Sequence, residues 1–182
     1  MSDVSPEEIW VLSYYRASEL AGALLFGRLA RRTADDALRS FLTRHFAEEA
    51  QHAWIWTETI EKVGGVPVPI AETYQSEYAA RIGLPSSMPE VLLLTETFER
   101  RIREHFLLHA RRTRHPVVRA TLERMLAEEE GHLEWIERRL ADGDRDEVEA
   151  LRLRYREVDE AIYATLRERE RTLWEFLGWG EA

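Results

Sequence analysis

The chain contains one helical pattern twice, with an offset of 80 residues between the copies. Ala-Arg-Arg-Thr at 30–33 recurs at 110–113, and Ala-Glu-Glu at 47–49 recurs at 127–129. Single residues at the same offset also match without a gap, namely Phe26 with Phe106, Arg39 with Arg119, Leu42 with Leu122, Arg44 with Arg124, and His52 with His132. A repeated unit implies a pseudo-two-fold axis, so equivalent inward side chains are expected to face each other across it.

Capping residues in the sequence indicate where several helices begin. Ser5 and Ser87 each precede a glutamate by three residues, the capping-box spacing that satisfies free amide groups, and Pro116 suits a first helical turn. Only nine glycines and six prolines interrupt the 182 residues. The pattern therefore predicts an all-α protein with helices over 6–32, 34–63, 88–113, 116–141 and 145–177.

The connections between these helices predict the topology. Short joins near residues 32–33 and 113–116 make two antiparallel hairpins. The segment 64–87 contains Gly64-Gly65 and is long enough to run back along the bundle as a crossover. We expect one domain over 1–182, in which the repeated hairpins occupy 6–141 and a fifth helix occupies 145–177.

Composition excludes several classes of protein. A net charge of −9 argues against a nucleic-acid partner, because phosphate binding depends on Lys and Arg. No cysteine is present to form an iron–sulfur cluster or a thiolate zinc site. The longest apolar run, Leu20–Phe26, is too short to cross a membrane, and the first residues lack the features of a signal peptide. A cytoplasmic location without membrane attachment is expected.

Both hairpins contain a Glu-x-x-His motif, Glu49 with His52 and Glu129 with His132. This spacing places the carboxylate and the imidazole on one helix face. One such match arises easily by chance in a glutamate-rich chain, whereas two at equivalent points of a repeat do not. A further glutamate lies 30 residues before each motif, and each falls on an otherwise apolar stripe; these are Glu19 and Glu99.

Four carboxylates and two imidazoles in one core would repel one another if left bare. Two divalent cations would remove that repulsion. Oxygen ligands with one imidazole per metal suit iron or manganese, with zinc as a further option, and leave positions where oxygen or peroxide could bind. The motifs therefore predict a two-metal site.

The order Glu, Glu-x-x-His, Glu, Glu-x-x-His over about residues 6–141 resembles the ferritin-like di-iron carboxylate superfamily, which includes rubrerythrins and di-iron oxygenases. The resemblance implies a ferritin-like four-helix bundle with two iron ions, or manganese or a mixed Mn/Fe pair. It also implies bridging or chelating roles for Glu49 and Glu129, terminal binding by Glu19 and Glu99, and one metal each for His52 and His132.

The same resemblance gives roles to residues beside the motifs. Glu48 would hydrogen-bond His132, and Glu128 would hydrogen-bond His52, although both glutamates also suit a solvated helix edge. Two large aromatics lie one turn from the predicted ligands and could carry electrons or line a substrate pocket, but packing is the default interpretation; they are Tyr15 and Trp56.

Two further residues are weaker ligand candidates. Glu96 lies three residues before Glu99, and a pair of glutamates on the third helix resembles rubrerythrins; Glu99 is favoured because Arg16 is the repeat equivalent of Glu96. His45 lies one turn before Glu49 and resembles the third histidine of di-iron arylamine N-oxygenases. A hydrogen-bonded core histidine is the alternative interpretation of His45.

These features predict a non-haem di-iron oxidoreductase that activates O2 or peroxide. The reaction would be oxidation or oxygenation of a small molecule, or peroxide reduction with electrons from an external donor, since no cysteines exist for a rubredoxin-like module. A ferroxidase or iron-storage protein is the alternative. A metal-free structural bundle would have to explain six polar residues pointing at one core. A homodimer through the fifth helix is left open.

Overall fold

The computed structural model describes residues 4–178, apart from the side chains of residues 76, 79 and 167–169. This part of the chain forms seven helices and no strand, which confirms the all-α prediction. The helices are α1 (Pro6–Ala30), α2 (Asp36–Lys62), α3 (Tyr74–Ile82), α4 (Met88–Arg112), α5 (Pro116–Ala141), α6 (Arg145–Arg169) and α7 (Arg171–Leu177). The ends of the predicted domain, at 1–3 and 179–182, lie outside the described residues.

Side-chain caps set most helix starts. The Ser5 hydroxyl accepts from the Glu8 amide at 3.2 Å, and Ser87 forms a full capping box with Glu90. Asp35 accepts from the Leu38 amide at 2.8 Å, so α2 begins two residues later than predicted.

One predicted helix is two helices in the structure, and one short helix was not predicted. The helix predicted over 145–177 is broken at Glu170, whose φ of −103° and ψ of 45° leave the helical region, so α6 and α7 are separate. The crossover is not a plain connection, because it contains α3. That helix has no side-chain cap at Thr73 and ends at Gly83, which has a φ of 73°. Without a start signal and with only nine residues, α3 does not stand out in the sequence.

The helices pack as two hairpins with an added layer. α1 packs on α2, α4 on α5, and α2 meets α5 across the centre. α6 lies along α4 and α3, while α7 contacts α1 and α4. No helix within residues 4–178 is long and apolar enough to cross a membrane.

Two apolar clusters enclose a polar stretch in the middle of the hairpins. The larger cluster includes Tyr15 of α1 and Trp56 of α2, and the smaller one includes Phe26 and Leu42 of the same helices. On α1 and α2 the predicted ligands lie between the two clusters, whereas on α4 and α5 they are flanked by residues of the larger cluster. The polar residues are therefore held in the core rather than at an end of the molecule.

Candidate metal centre

The six predicted principal ligands come together from four different helices. Five are buried, and His132 is partly exposed. They are Glu19 on α1, Glu49 and His52 on α2, Glu99 on α4, and Glu129 and His132 on α5. Equivalent residues of the two hairpins therefore come together in one core.

Five of the six residues form two groups of three that share Glu129. In the first group, His52 Nδ1 lies 3.8 Å from Glu19 Oε2 and 3.5 Å from Glu129 Oε1. Within each group, the potential ligand atoms all lie within 4.8 Å of one another. Such a group could hold one metal ion.

The second group is built the same way from the other hairpin. His132 Nδ1 lies 3.4 Å from Glu99 Oε1 and 3.4 Å from Glu129 Oε2. The two oxygens of Glu129 therefore face different histidines, whose ring centroids are 6.1 Å apart. A carboxylate placed in this way can bridge two metals.

Glu49 lies beside these groups but belongs to neither. A Cβ atom on Gly22 would come within 2.5 Å of Glu49 Oε2, so the absence of a side chain at position 22 makes room for this carboxylate. The repeat equivalent of Gly22 is Ile102, which shows that the two halves of the site are not identical.

Burial and mutual repulsion favour the protonated forms of three of the site carboxylates, Glu49, Glu99 and Glu129. Burial, reinforced by the neighbouring carboxylates, raises the pKa of Glu49 and of Glu129 well above the ordinary value. Burial raises the pKa of Glu99 to about 7. For His52, burial favours the neutral ring, but the surrounding carboxylates outweigh it and raise the pKa to about 9.

Several buried ligand atoms have no hydrogen-bond partner among the described residues. They are Glu19 Oε1, His52 Nδ1, Glu99 Oε1, Glu129 Oε2 and His132 Nδ1. Each such atom costs about 1–3 kcal/mol when buried alone. Hard oxygen and imidazole donors converging in this way fit iron or manganese, since bound cations would satisfy all of them.

Outer carboxylates contact the far side of both histidines, as the resemblance implies. His52 Nε2 and Glu128 Oε2 are 3.0 Å apart, whereas His132 Nε2 and Glu48 Oε2 are 3.6 Å apart. Glu128 also accepts from Arg124 at 2.8 Å. The predicted cross-hairpin contact is therefore a hydrogen bond on one side and a longer approach on the other.

His45 lies outside the ring of carboxylates. Its Nδ1 is 3.0 Å from Glu48 Oε2, and its ring packs against Phe41 and against His132, with centroids 4.5 and 5.1 Å away. Burial lowers the pKa of His45, which favours a neutral ring. His45, Glu48 and His132 form a third group that could hold a cation, next to the two central groups rather than within them.

The structure does not bring Glu96 to the cluster. Arg100 donates to Glu96 Oε1 at 2.8 Å, and Arg152 donates to Oε2 at 3.2 Å, so both oxygens are engaged by guanidinium groups. Glu96 belongs to none of the three candidate groups found among the described residues. Of the two glutamates weighed on this helix, Glu99 is the one beside the histidine.

Tyr15 and Trp56 pack against each other, with ring centroids 5.2 Å apart, and both contact Phe106. Both side chains are fully buried. This geometry matches the packing interpretation of the two aromatics, and it closes the side of the site toward the larger apolar cluster.

The sequence did not predict that α3 lines one side of the candidate site. A cavity of about 10 Å³ adjoins Glu19, Glu49 and Glu99, and Tyr74 and Gln75 of α3 line its other side. The sequence carries no cap signal for α3. The glycine at position 22, in a helix whose copy has isoleucine, was the available sign that this face is crowded.

Comparison with protein-family models, with curated proteins and with solved structures found no match. The residues themselves therefore carry the functional assignment. They offer two adjoining sets of potential oxygen and nitrogen ligands with a shared carboxylate, all buried except His132.

Proposed function

We propose that this chain is a ferritin-like dimetal-carboxylate oxidoreductase that binds two iron ions and acts on O2 or peroxide. The observation that carries the proposal is the sharing of Glu129 between two three-residue groups in which every residue except His132 is buried. Manganese, or a mixed Mn/Fe pair, suits the same ligands. A purely structural core has no use for five converging polar atoms without partners.

Each residue has a distinct part in this proposal. Glu19, His52 and Glu129 would hold one metal, and Glu99, His132 and Glu129 the other, with Glu49 beside both. When bound, the metal pair would supply the electrons that reduce the oxidant. Glu128 fixes the orientation of the His52 ring through its bond to Nε2, so that Nδ1 faces the carboxylates.

The size of the adjoining cavity favours a small oxidant as the only substrate at the metals. A volume of about 10 Å³ is close to the least that one water molecule needs. An organic substrate does not fit beside Glu19, Glu49 and Glu99 in this arrangement. Reduction of peroxide or O2 with an external electron donor is therefore favoured over oxygenation of an organic molecule.

A ferroxidase or iron-storage function is the second candidate, and one observation favours it. His45, Glu48 and His132 form a third group that could hold a cation, and Glu48 is partly exposed. Such a group would suit ferrous ions passing between solvent and the core. Particle mass separates the two functions, since storage requires a large shell and a peroxide-reducing enzyme does not.

The first test is metal content after loading with ferrous iron without oxygen and desalting. We expect about two iron ions per parent chain and their loss from a His52→Ala, His132→Ala variant. The control is His105→Ala, His109→Ala, which removes two buried histidines outside the site. Circular dichroism checks that both variants fold.

The outcome decides the proposal directly. Retention of no iron, manganese or zinc by the parent would overturn the two-metal assignment, as would equal metal loss from the folded control. If iron is retained, its oxidation by stoichiometric peroxide is compared with its oxidation by O2. Faster oxidation by peroxide would support the peroxide-reducing function.

A further inference from the structure

A second, larger cavity lies between α4 and α6, away from the candidate metal centre. Its volume is about 430 Å³. Four guanidinium groups, three carboxylates and three other side chains line it, namely Arg100, Arg101, Arg152, Arg156, Glu96, Glu104, Asp159, Leu93, Thr97 and Tyr155. Glu99 points from α4 to the metal centre, whereas Glu96, one turn earlier, points into this cavity.

The carboxylates of the cavity are already engaged. Glu96 accepts from two arginines, as described above. Asp159 accepts from the Tyr78 hydroxyl and from Arg101, which also donates to Glu104 at 3.3 Å. Each carboxylate of the cavity is therefore already paired with at least one arginine.

Two arginines of α6 retain unused donors. Arg156 has no hydrogen bond or ion pair with a described residue, and Arg152 reaches only Glu96 through Nη2. The Nε of Arg152 is buried and has no acceptor within the described part of the chain. These side chains are four residues apart on one helix face, where two permanent positive charges repel each other.

We propose that this cavity binds a small organic oxyanion, whose carboxylate or phosphate head lies between Arg152 and Arg156. The guanidinium groups present fork-like donors that match such heads. Leu93 and Tyr155 offer an apolar wall for the carbon part of the ligand. The site is independent of the metal centre and of the reaction proposed there.

The test is isothermal titration of the full chain with phenyl phosphate, benzoate and inorganic phosphate, at an ionic strength held constant with chloride. We expect saturable binding of one phenyl phosphate or one benzoate per chain. Whichever of these two probes binds more tightly shows whether the site prefers a phosphate or a carboxylate head group. Inorganic phosphate should bind more weakly than phenyl phosphate, because it lacks the part that contacts Leu93 and Tyr155.

Three variants decide whether the binding occurs in this cavity. Arg156→Gln should weaken binding by roughly tenfold or more, because a charge-assisted hydrogen bond is lost. Arg154→Gln is the matched control, since Arg154 lies on the same helix but does not line the cavity. Glu96→Gln should tighten binding, because it frees the donors of Arg152 that now engage Glu96.

Absence of saturable binding by all three probes would overturn the proposal. So would equal weakening by Arg156→Gln and Arg154→Gln, which would show that only general charge attraction is involved. Thermal unfolding of each variant confirms that the helices remain packed. A variant that does not fold is replaced by Arg156→Lys, which keeps the charge but loses the fork and should still weaken binding.

Discussion

The two hairpins present the same ligands to the centre but hold their histidines differently. His52 is buried and bonded to Glu128 at 3.0 Å, whereas His132 is partly exposed and lies 3.6 Å from Glu48. The hydrogen bond to His45 lowers the pKa of Glu48, so this carboxylate already has a partner on its own helix. A sequence repeat fixes where equivalent residues lie, but their non-repeated neighbours decide what those residues contact.

The outer faces of the two hairpins differ in residue type and exposure more than the inner faces do. Leu20 and Leu24 of α1 are exposed, while their equivalents Arg100 and Glu104 line the cavity covered by α6. α6 therefore packs on the second hairpin where its sequence has diverged from the first, whereas α3 and α7 also contact α1. Conservation of the inner faces across the repeat, beside this divergence, is what a shared central site requires.

Comparison of Glu129→Ala with Glu49→Ala tests most directly whether the two equivalent motif glutamates bind metal equally. Glu129 contributes to both candidate groups and Glu49 to neither, so the first change should abolish retention of both metals and the second should leave at least one. Metal content after anaerobic loading and desalting measures the difference. Equal losses would instead indicate that both carboxylates bridge, as the superfamily resemblance implies.

The pH dependence of the stability of the metal-free protein should distinguish Glu99 of the second hairpin from His52 of the first. Glu99 has a pKa of about 7, above its ordinary 4.5, so its stabilising contribution is complete below pH 4.5 and is lost as pH rises through 7. The corresponding contribution of His52 is complete below pH 6.5 and is lost as pH rises through about 9. Each loss is on the order of 3 kcal/mol in the free energy of unfolding.

Chemical denaturation of chelator-treated protein from pH 5 to 9 measures these losses. Glu99→Gln should reduce the decline between pH 5 and 7, to which Glu49 and Glu129 also contribute, and His52→Asn should reduce the decline between pH 6.5 and 9. A stability that rises with pH in the metal-free parent would contradict both assignments.

The two outer carboxylates, Glu128 and Glu48, should also contribute unequally to metal affinity. Glu128→Gln is expected to weaken metal binding about ten- to a hundredfold, since it removes the hydrogen bond that orients His52. Glu48→Gln should cost less, because its oxygen is farther from His132. Competition titration with a chelating dye gives both affinities.

A third variant tests the reason for this inequality. His45→Met copies Met125, the equivalent residue of the second hairpin, and removes the competing partner of Glu48. In the His45→Met variant, Glu48→Gln should lower metal affinity as much as Glu128→Gln does. If the cost of Glu48→Gln does not change, His45 is not what weakens the contact.

The smallest effects are expected at two helical glycines. Gly22→Ala would press a Cβ against Glu49 and should lower metal affinity by roughly tenfold, because a carboxylate near the site must move. Gly131→Ala meets nothing within 4 Å, so it should leave metal binding unchanged and stabilise the helix by about 0.5–1 kcal/mol. Affinity and thermal unfolding together distinguish the outcomes, and equal affinities for the two variants would refute the crowding at Gly22.

Much of the fold followed from local signals. Capping residues and short joins predicted the four long helices of the hairpins to within two residues at every end. The break at Glu170 and the helix α3 were missed, because neither has a side-chain cap and both depend on packing against α1, α4 and α6. Short uncapped helices gain most of their stability from tertiary contacts, which the sequence does not display.

The sequence by itself determined which residues face the centre, because an offset of 80 residues and helical periodicity place two glutamate–histidine motifs and two further glutamates on inward faces. Only the tertiary structure decided that Glu129 is shared between the two groups, that Glu96 binds arginines instead, and that α3 leaves room for no more than a small molecule. The physical reason is that periodicity fixes the direction of a side chain from its own helix. The partner that it meets depends on the approach of other helices.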